Sequence, residues 1–130
     1  MTLRCLLVDD STRFLGAAHD HLEREGLAVV GVATTIAQAL DQAERLRPDV
    51  ALVDIDLAGE SGFELARLLR QPGGPAVAVI LISTHSEEDF ADLIAASPAV
   101  GFLSKNALSA AAIHGLLANH GDGGRGDPPP

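Results

Sequence analysis

Asp49-Val50-Ala51-Leu52-Val53-Asp54-Ile55-Asp56-Leu57-Ala58-Gly59-Glu60-Ser61-Gly62 is the stretch whose reading decides the fold. Its apolar run, Val50 to Val53, stops at a carboxylate, and acidic, small and glycine residues follow at once. A short apolar run bounded in this way predicts a buried strand feeding a loop. Asp54 then stands at the carboxyl end of that strand, the edge where ligands and chemistry collect in open α/β sheets. Aspartate is also an ordinary turn residue, so the weight of the argument falls on the flanking chain.

Upstream, Leu3 to Val8 predicts a first strand that ends in Asp9-Asp10. Ser11 is the expected N-cap of a helix over 12–25, with Phe14, Leu15, Ala18 and Leu22 on one face and Gly26 as its stop. Leu27 to Ala33 is a second strand. Thr34 or Thr35 caps a second helix with Ile36, Ala39, Leu40, Ala43 and Leu46 inward, ended by Pro48. Downstream, Ser61-Gly62-Phe63-Glu64 has the capping-box pattern and opens a helix to about Arg70. Ala76 to Ile82 is a fourth strand, and Ser86 is the expected cap of a helix whose first turn holds Glu87, Glu88 and Asp89. Val100 to Leu103 is a short fifth strand before Ser104-Lys105, and Ser109 caps a last helix from Ala110 to about Asn119. Residues 121–130, rich in Gly and Pro, read as a disordered tail behind a single domain over 1–120. Five β-α units in strict alternation predict an α/β fold: one doubly wound five-stranded parallel sheet with helices on both faces, in the flavodoxin-like order 2-1-3-4-5.

Composition narrows the function. A net charge of −9 over 130 residues argues against direct nucleic-acid binding, which needs clustered Lys and Arg. With no Trp, no Tyr and four Phe, the core must be aliphatic. The single cysteine, Cys5, lies in an apolar run and reads as a small core residue. Arg4, Asp9 and Asp10 interrupt the early apolar stretch, and no run nears the ~18 apolar residues of a membrane span. A soluble protein of the cytoplasm, without membrane contact, is the expectation.

The strand ends carry the chemistry. Asp9 and Asp10 follow the first strand, Asp54 the third, Ser83 and Thr84 the fourth and Lys105 the fifth. Parallel strands set all of them on one edge, and in the 2-1-3-4-5 order strands one, three, four and five are neighbours. Three packed carboxylates repel and raise one another's pKa. A hard divalent cation such as Mg²⁺, which takes oxygen ligands, relieves that repulsion. Metal, lysine and the Ser83 hydroxyl together suit the charge spread over a transferring phosphoryl group. A carboxylate can be the nucleophile in such a transfer, and Asp54, central in the set, is the candidate.

This ordered set resembles the receiver domain of bacterial response regulators, the CheY-like family, over about Leu3 to Asn119. Gly62, eight residues after Asp54, also matches. The resemblance implies that Asp54 is the phosphoacceptor, taking its phosphoryl group from a phosphohistidine on a sensor histidine kinase or phosphotransfer protein. It implies Mg²⁺ held by the side chains of Asp10 and Asp54 and the backbone carbonyl of Asp56, with Asp9 assisting through water. Ser83 would bond a phosphoryl oxygen and Lys105 would pair with it. Ser83 and Phe102 would form a switch that remodels the surface of the fourth helix, fifth strand and fifth helix, which is also the expected homodimer face. Asp56 and His85 would tune how long the phosphoryl group survives. The partner at the output end would be a separate protein or an output domain of the same regulator, as in receivers that precede a helix-turn-helix domain. The activity implied is self-catalysed phosphoryl transfer and autodephosphorylation, not that of a conventional enzyme.

Ala58 and Asn106 stand where the family often has proline. His19, His21, His114 and His120 have no ligand spacing and read as surface residues. Two rival readings remain. Asp54-Ile55-Asp56-Leu57 partly fits the start of haloacid dehalogenase-like phosphatases, with Asp54 as nucleophile, although there the acidic pair comes last. The other rival is a receiver-like binding module that is never phosphorylated.

Overall fold

A computed structural model describes residues 2–124 of the chain. Its sheet consists of β1 (Arg4–Val8), β2 (Ala28–Ala33), β3 (Val50–Asp54), β4 (Ala78–Ser83) and β5 (Gly101–Ser104). All pairings are parallel, in the order β2-β1-β3-β4-β5, as the alternation predicts. The helices are α1 (Thr12–Arg24), α2 (Ile36–Leu46), α3 (Gly62–Arg70), α4 (Ala91–Ala96) and α5 (Ala110–Gly124).

Side-chain alternation along each strand divides the core. Leu6, Val8, Ala51, Val53, Val79 and Leu81 face α2 and α3, meeting Ala39, Ala43, Leu65 and Leu69. Cys5, Leu7, Val50, Leu52, Ile80 and Ile82 face the other way, onto Leu15, Ala18 and Leu22 of α1 and Ile113 of α5. The central strands are therefore apolar on both faces, as a sheet covered on both sides requires. Cys5 is fully buried and its thiol pKa is pushed up to about 12, chiefly by desolvation and then by the charges of Asp49 and Glu23.

Local chemistry sets the helix ends. The hydroxyls of Ser11 and Thr35 accept from Phe14 N and Gln38 N. Ser61 accepts from Phe63 N and Glu64 N, but the Glu64 carboxylate turns to Arg67 instead of back to Ser61, so the capping box is half formed. Ser109 Oγ accepts from Ala112 N at 3.0 Å. Arg47, at φ 50°, closes α2 in the left-handed region just before Pro48. Ala76, at φ 60°, delays β4 to Ala78.

Three segments differ from the sequence-based expectation. Glu87–Phe90 is a 3₁₀ turn, Ser86 makes no side-chain cap bond, and α4 starts only at Ala91. Phe90 leaves helical geometry at φ −127°, with its ring 6.3 Å from that of Phe63 and 5.9 Å from His85. The α5 helix runs past Asn119 to Gly124, because a nucleated helix gains a hydrogen bond for each residue added and glycine weakens that ladder without breaking it. Residues 121–124 of the expected tail are thus helical, and 125–130 lie outside the described residues.

The third difference is a short antiparallel hairpin, Asp56–Leu57 against Glu60–Ser61, where only loop was expected. Its tip residues Ala58 and Gly59 have φ of 52° and 97°, two positive values in succession, as a tight turn matched to strand twist requires. Proline, locked near φ −65°, cannot adopt this shape. Alanine can, at about 1 kcal/mol of strain. Ala58→Gly is therefore expected to raise the urea midpoint slightly and Ala58→Pro to lower it clearly. Equal midpoints for both variants would contradict the turn geometry.

Candidate functional site

The carboxyl ends of β1, β3 and β5 bring three charged side chains together. Asp9 follows β1 and is fully buried. Its N–H donates to Ala33 O at 3.0 Å, and its Oδ1 accepts from Ser11 N at 2.8 Å. Asp10, next in the chain, is exposed. Asp54 ends β3 with 7% of its surface accessible, and its Oδ1 accepts from Asp56 N at 3.2 Å. Lys105 opens a 3₁₀ turn after β5, held by Ser104 Oγ accepting from Asn106 N at 3.2 Å.

Lys105 Nζ lies 2.6 Å from Asp9 Oδ2 and 3.3 Å from Asp54 Oδ2. Its closer partner is thus Asp9. At 2.6 Å the two charges pair directly. Lys105 Nζ also stands 4.4 Å from the centroid of the Phe14 ring. One carboxylate oxygen each from Asp9, Asp10 and Asp54 lies within 4.8 Å of the others. Three carboxylate oxygens this close form an all-oxygen donor set that fits a hard divalent cation.

Electrostatics follow from this packing. Desolvation raises the Asp54 pKa above the usual carboxylate value, and the Asp9 charge adds to the rise; the Asp56 N–H and Lys105 only partly oppose it. Burial pulls the Lys105 ammonium down, but bonding to Asp9 and the charges of Asp54 and Asp9 outweigh that and leave its pKa raised. The site therefore holds an ionised lysine between carboxylates that are short of positive charge.

Ser83 is buried at the end of β4, one residue past Ile82, the register partner of Asp54. Its Oγ accepts from His85 N at 3.0 Å, while Thr84 and His85 are exposed. The Asp56 side chain is exposed as well. A cleft of about 440 Å³ runs beside the site from Asp56 and Glu60 to Ser83, His85 and Phe90. Phe102 is half-buried on β5, opposite Leu81 in the register, and packs on the α2–α3 side of the core.

Several participants were not legible as such. Phe14 read only as a core residue of α1. Glu60 Oε1 accepts from Ile36 N at 2.8 Å, tying the hairpin to the start of α2. His21 lies at the surface, as its lack of ligand spacing suggests, and its Nε2 stands 3.1 Å from Leu108 O. No sequence period links any of these pairs, because each spans two elements.

A sequence profile described as "Response regulator receiver domain" matches residues 5–117. The transcriptional activator protein ExaE of Pseudomonas putida is 37% identical over 119 residues, covering 88% of this chain and 55% of that protein. The response regulator GacA of Pseudomonas aeruginosa is 33% identical over 107 residues, covering 81% of this chain and 49% of that protein. The chain thus spans about half the length of the curated relatives it matches. Among solved structures, the signal receiver domain of the putative response regulator NarL from Mycobacterium tuberculosis superposes with a TM-score of 0.74 at 28% identity, covering 97% of this chain and 98% of that one. None of these relatives favours the phosphatase alternative.

Proposed function

This chain belongs to the response regulator receiver domain family, and from that premise we propose that Asp54 is its phosphoacceptor. The observation that carries the reading is the convergence of Lys105, Asp9 and Asp10 on Asp54 at one sheet edge. An Asp54 carboxylate oxygen attacks the phosphorus of a phosphohistidine on a sensor kinase or phosphotransfer protein. The P–N bond breaks, its electron pair leaves with the imidazole, which takes up a proton, and an aspartyl phosphate forms. Lys105 compensates charge on the phosphoryl oxygens.

Mg²⁺ is the cation proposed for the carboxylate cluster, held by Asp10, Asp54 and the Asp56 backbone carbonyl, with Asp9 in support. When bound it neutralises the carboxylates and the oxygens of the incoming group. The Ser83 hydroxyl donates to a phosphoryl oxygen while its Oγ can still accept from the His85 N–H, and Phe102 turns inward. The α4–β5–α5 face then changes shape and engages a second copy or an output partner. Asp56 and His85, exposed beside the site, set the lifetime of the phosphoryl group. A transcriptional output carried by further chain, in the cytoplasm, accords with relatives named as transcriptional activators. Among the described residues no helix is long and apolar enough to cross a membrane.

Incubation with acetyl phosphate and Mg²⁺ tests the reading by intact mass. The wild type should gain the mass of one phosphoryl group and Asp54→Ala should gain none. Equal labelling of the two would remove Asp54 as the acceptor.

A further inference from the structure

The contact between Lys105 and Phe14 is outside what the carboxylate cluster needs. Phe14 is half-buried on the first turn of α1 and packs against the α1–α5 side of the core, a task any aliphatic side chain of similar size would perform. Its ring face nevertheless lies 4.4 Å below the Lys105 ammonium, within the range at which the ring quadrupole attracts a cation. The arrangement is built from the corner between β1 and α1. Asp9 Oδ1 holds Ser11 N at 2.8 Å, and Ser11 Oγ holds Phe14 N at 3.2 Å. One short chain of hydrogen bonds thus sets both the anion and the ring that receive a lysine arriving from the other end of the domain.

We infer that Phe14 is a positioning residue for Lys105, holding its ammonium over Asp54 through the aromatic face. The inference rests on the reading of Asp54 as phosphoacceptor for its consequence, but the contact stands apart from it. A metal bound to the carboxylates, or a phosphoryl group on Asp54, changes the charges that hold Lys105. The ring contact is neutral and survives both. It keeps the ammonium from swinging into solvent at the moment it is needed.

Two readouts on the full chain test this. In the Mg²⁺-free protein, the Lys105 side-chain protons should show upfield ring-current shifts in NMR spectra, kept in Phe14→Tyr and lost in Phe14→Leu. Acetyl phosphate labelling of Asp54 should slow by ~3- to ~30-fold in Phe14→Leu and stay close to wild type in Phe14→Tyr. Mono-, di- and trifluorinated phenylalanine at position 14 keep the packing but drain the ring face of charge, so the rate should fall stepwise with each fluorine. A rate indifferent to fluorination, or Lys105 protons without ring shifts, overturns the inference and leaves Phe14 as core packing. An unlabelled wild type with intact ring shifts would instead overturn the phosphoacceptor reading and retain the Phe14–Lys105 contact.

Discussion

Gly62→Ala is expected to destabilise the domain by ~3 kcal/mol or more, a large share of the 5–15 kcal/mol typical of a whole domain. A Cβ at Gly62 would lie 2.1 Å from the Asp54 carbonyl oxygen and 2.9 Å from both Asp54 C and Ile55 Cα. All three atoms are backbone, so no rotamer change relieves the overlap. The Gly62 N–H also donates to Ile55 O at 2.8 Å, clamping the start of α3 onto the end of β3. Room for a methyl group requires the strand end that carries Asp54 to move by roughly 1 Å. Helix propensity alone predicts the opposite sign, since alanine is favoured over glycine by about 1 kcal/mol. Gly16 supplies the control: it lies in α1 with nothing within 4 Å of a built Cβ, and Gly16→Ala should stabilise. Urea unfolding of both variants checks the pair, and a Gly62→Ala midpoint at or above wild type would refute the steric account.

Lys105→Met should cost about 3–5 kcal/mol in the absence of Mg²⁺ at neutral pH, because it strands two buried carboxylates without their cation. The three side chains are 13% (Lys105), 0% (Asp9) and 10% (Asp54) accessible, so water does little to compensate. Excess Mg²⁺ should recover much of the loss, since a cation in the cluster again offsets the charge. The pH dependence has a definite sign. The Asp54 pKa is raised on folding, so its contribution favours the folded state below the ordinary carboxylate pKa and is lost as pH rises through the higher folded value. Removing Lys105 deletes two of the influences that hold this pKa down, so the loss on raising pH becomes larger. The Lys105 pKa is raised too; its own contribution is whole below the ordinary lysine pKa and fades only as pH rises through the folded one. The gap between wild type and Lys105→Met should therefore be wide near neutrality and narrow in acid. Labelling of Asp54 by acetyl phosphate should also fall by about 10²-fold or more. A variant as stable as wild type at pH 7 without Mg²⁺ would show that the ion pairs carry no weight.

Much of this could be read from the chain because strands and carboxylates obey local rules. The five apolar runs, their alternation with amphipathic helices and the polar residue closing each run are one-dimensional signals, and the parallel sheet turns them into a shared edge. What escaped depends on three-dimensional partners. Asp9 and Asp10 look alike in sequence, yet one is fully buried against Lys105 and the other faces solvent. The hairpin strands after Asp54 are two residues each, too short to show a period. Ser86 and the acids after it have the composition of a helix start. Phe90, drawn towards Phe63 and His85, defers the α-helix to Ala91. The bond from Glu60 to α2 and the ring beneath Lys105 join elements whose separation in the chain carries no pattern.

The burial of Cys5 has a practical side. It is the chain's one cysteine, and a thiol with no accessible surface and a pKa near 12 offers almost no thiolate to a maleimide dye at neutral pH. A second cysteine placed on the surface, such as Leu93→Cys on α4, would then take the fluorophore alone, with no need to engineer a thiol-free parent. These 130 residues thus come ready for single-site fluorescence reporting of any rearrangement on that helix.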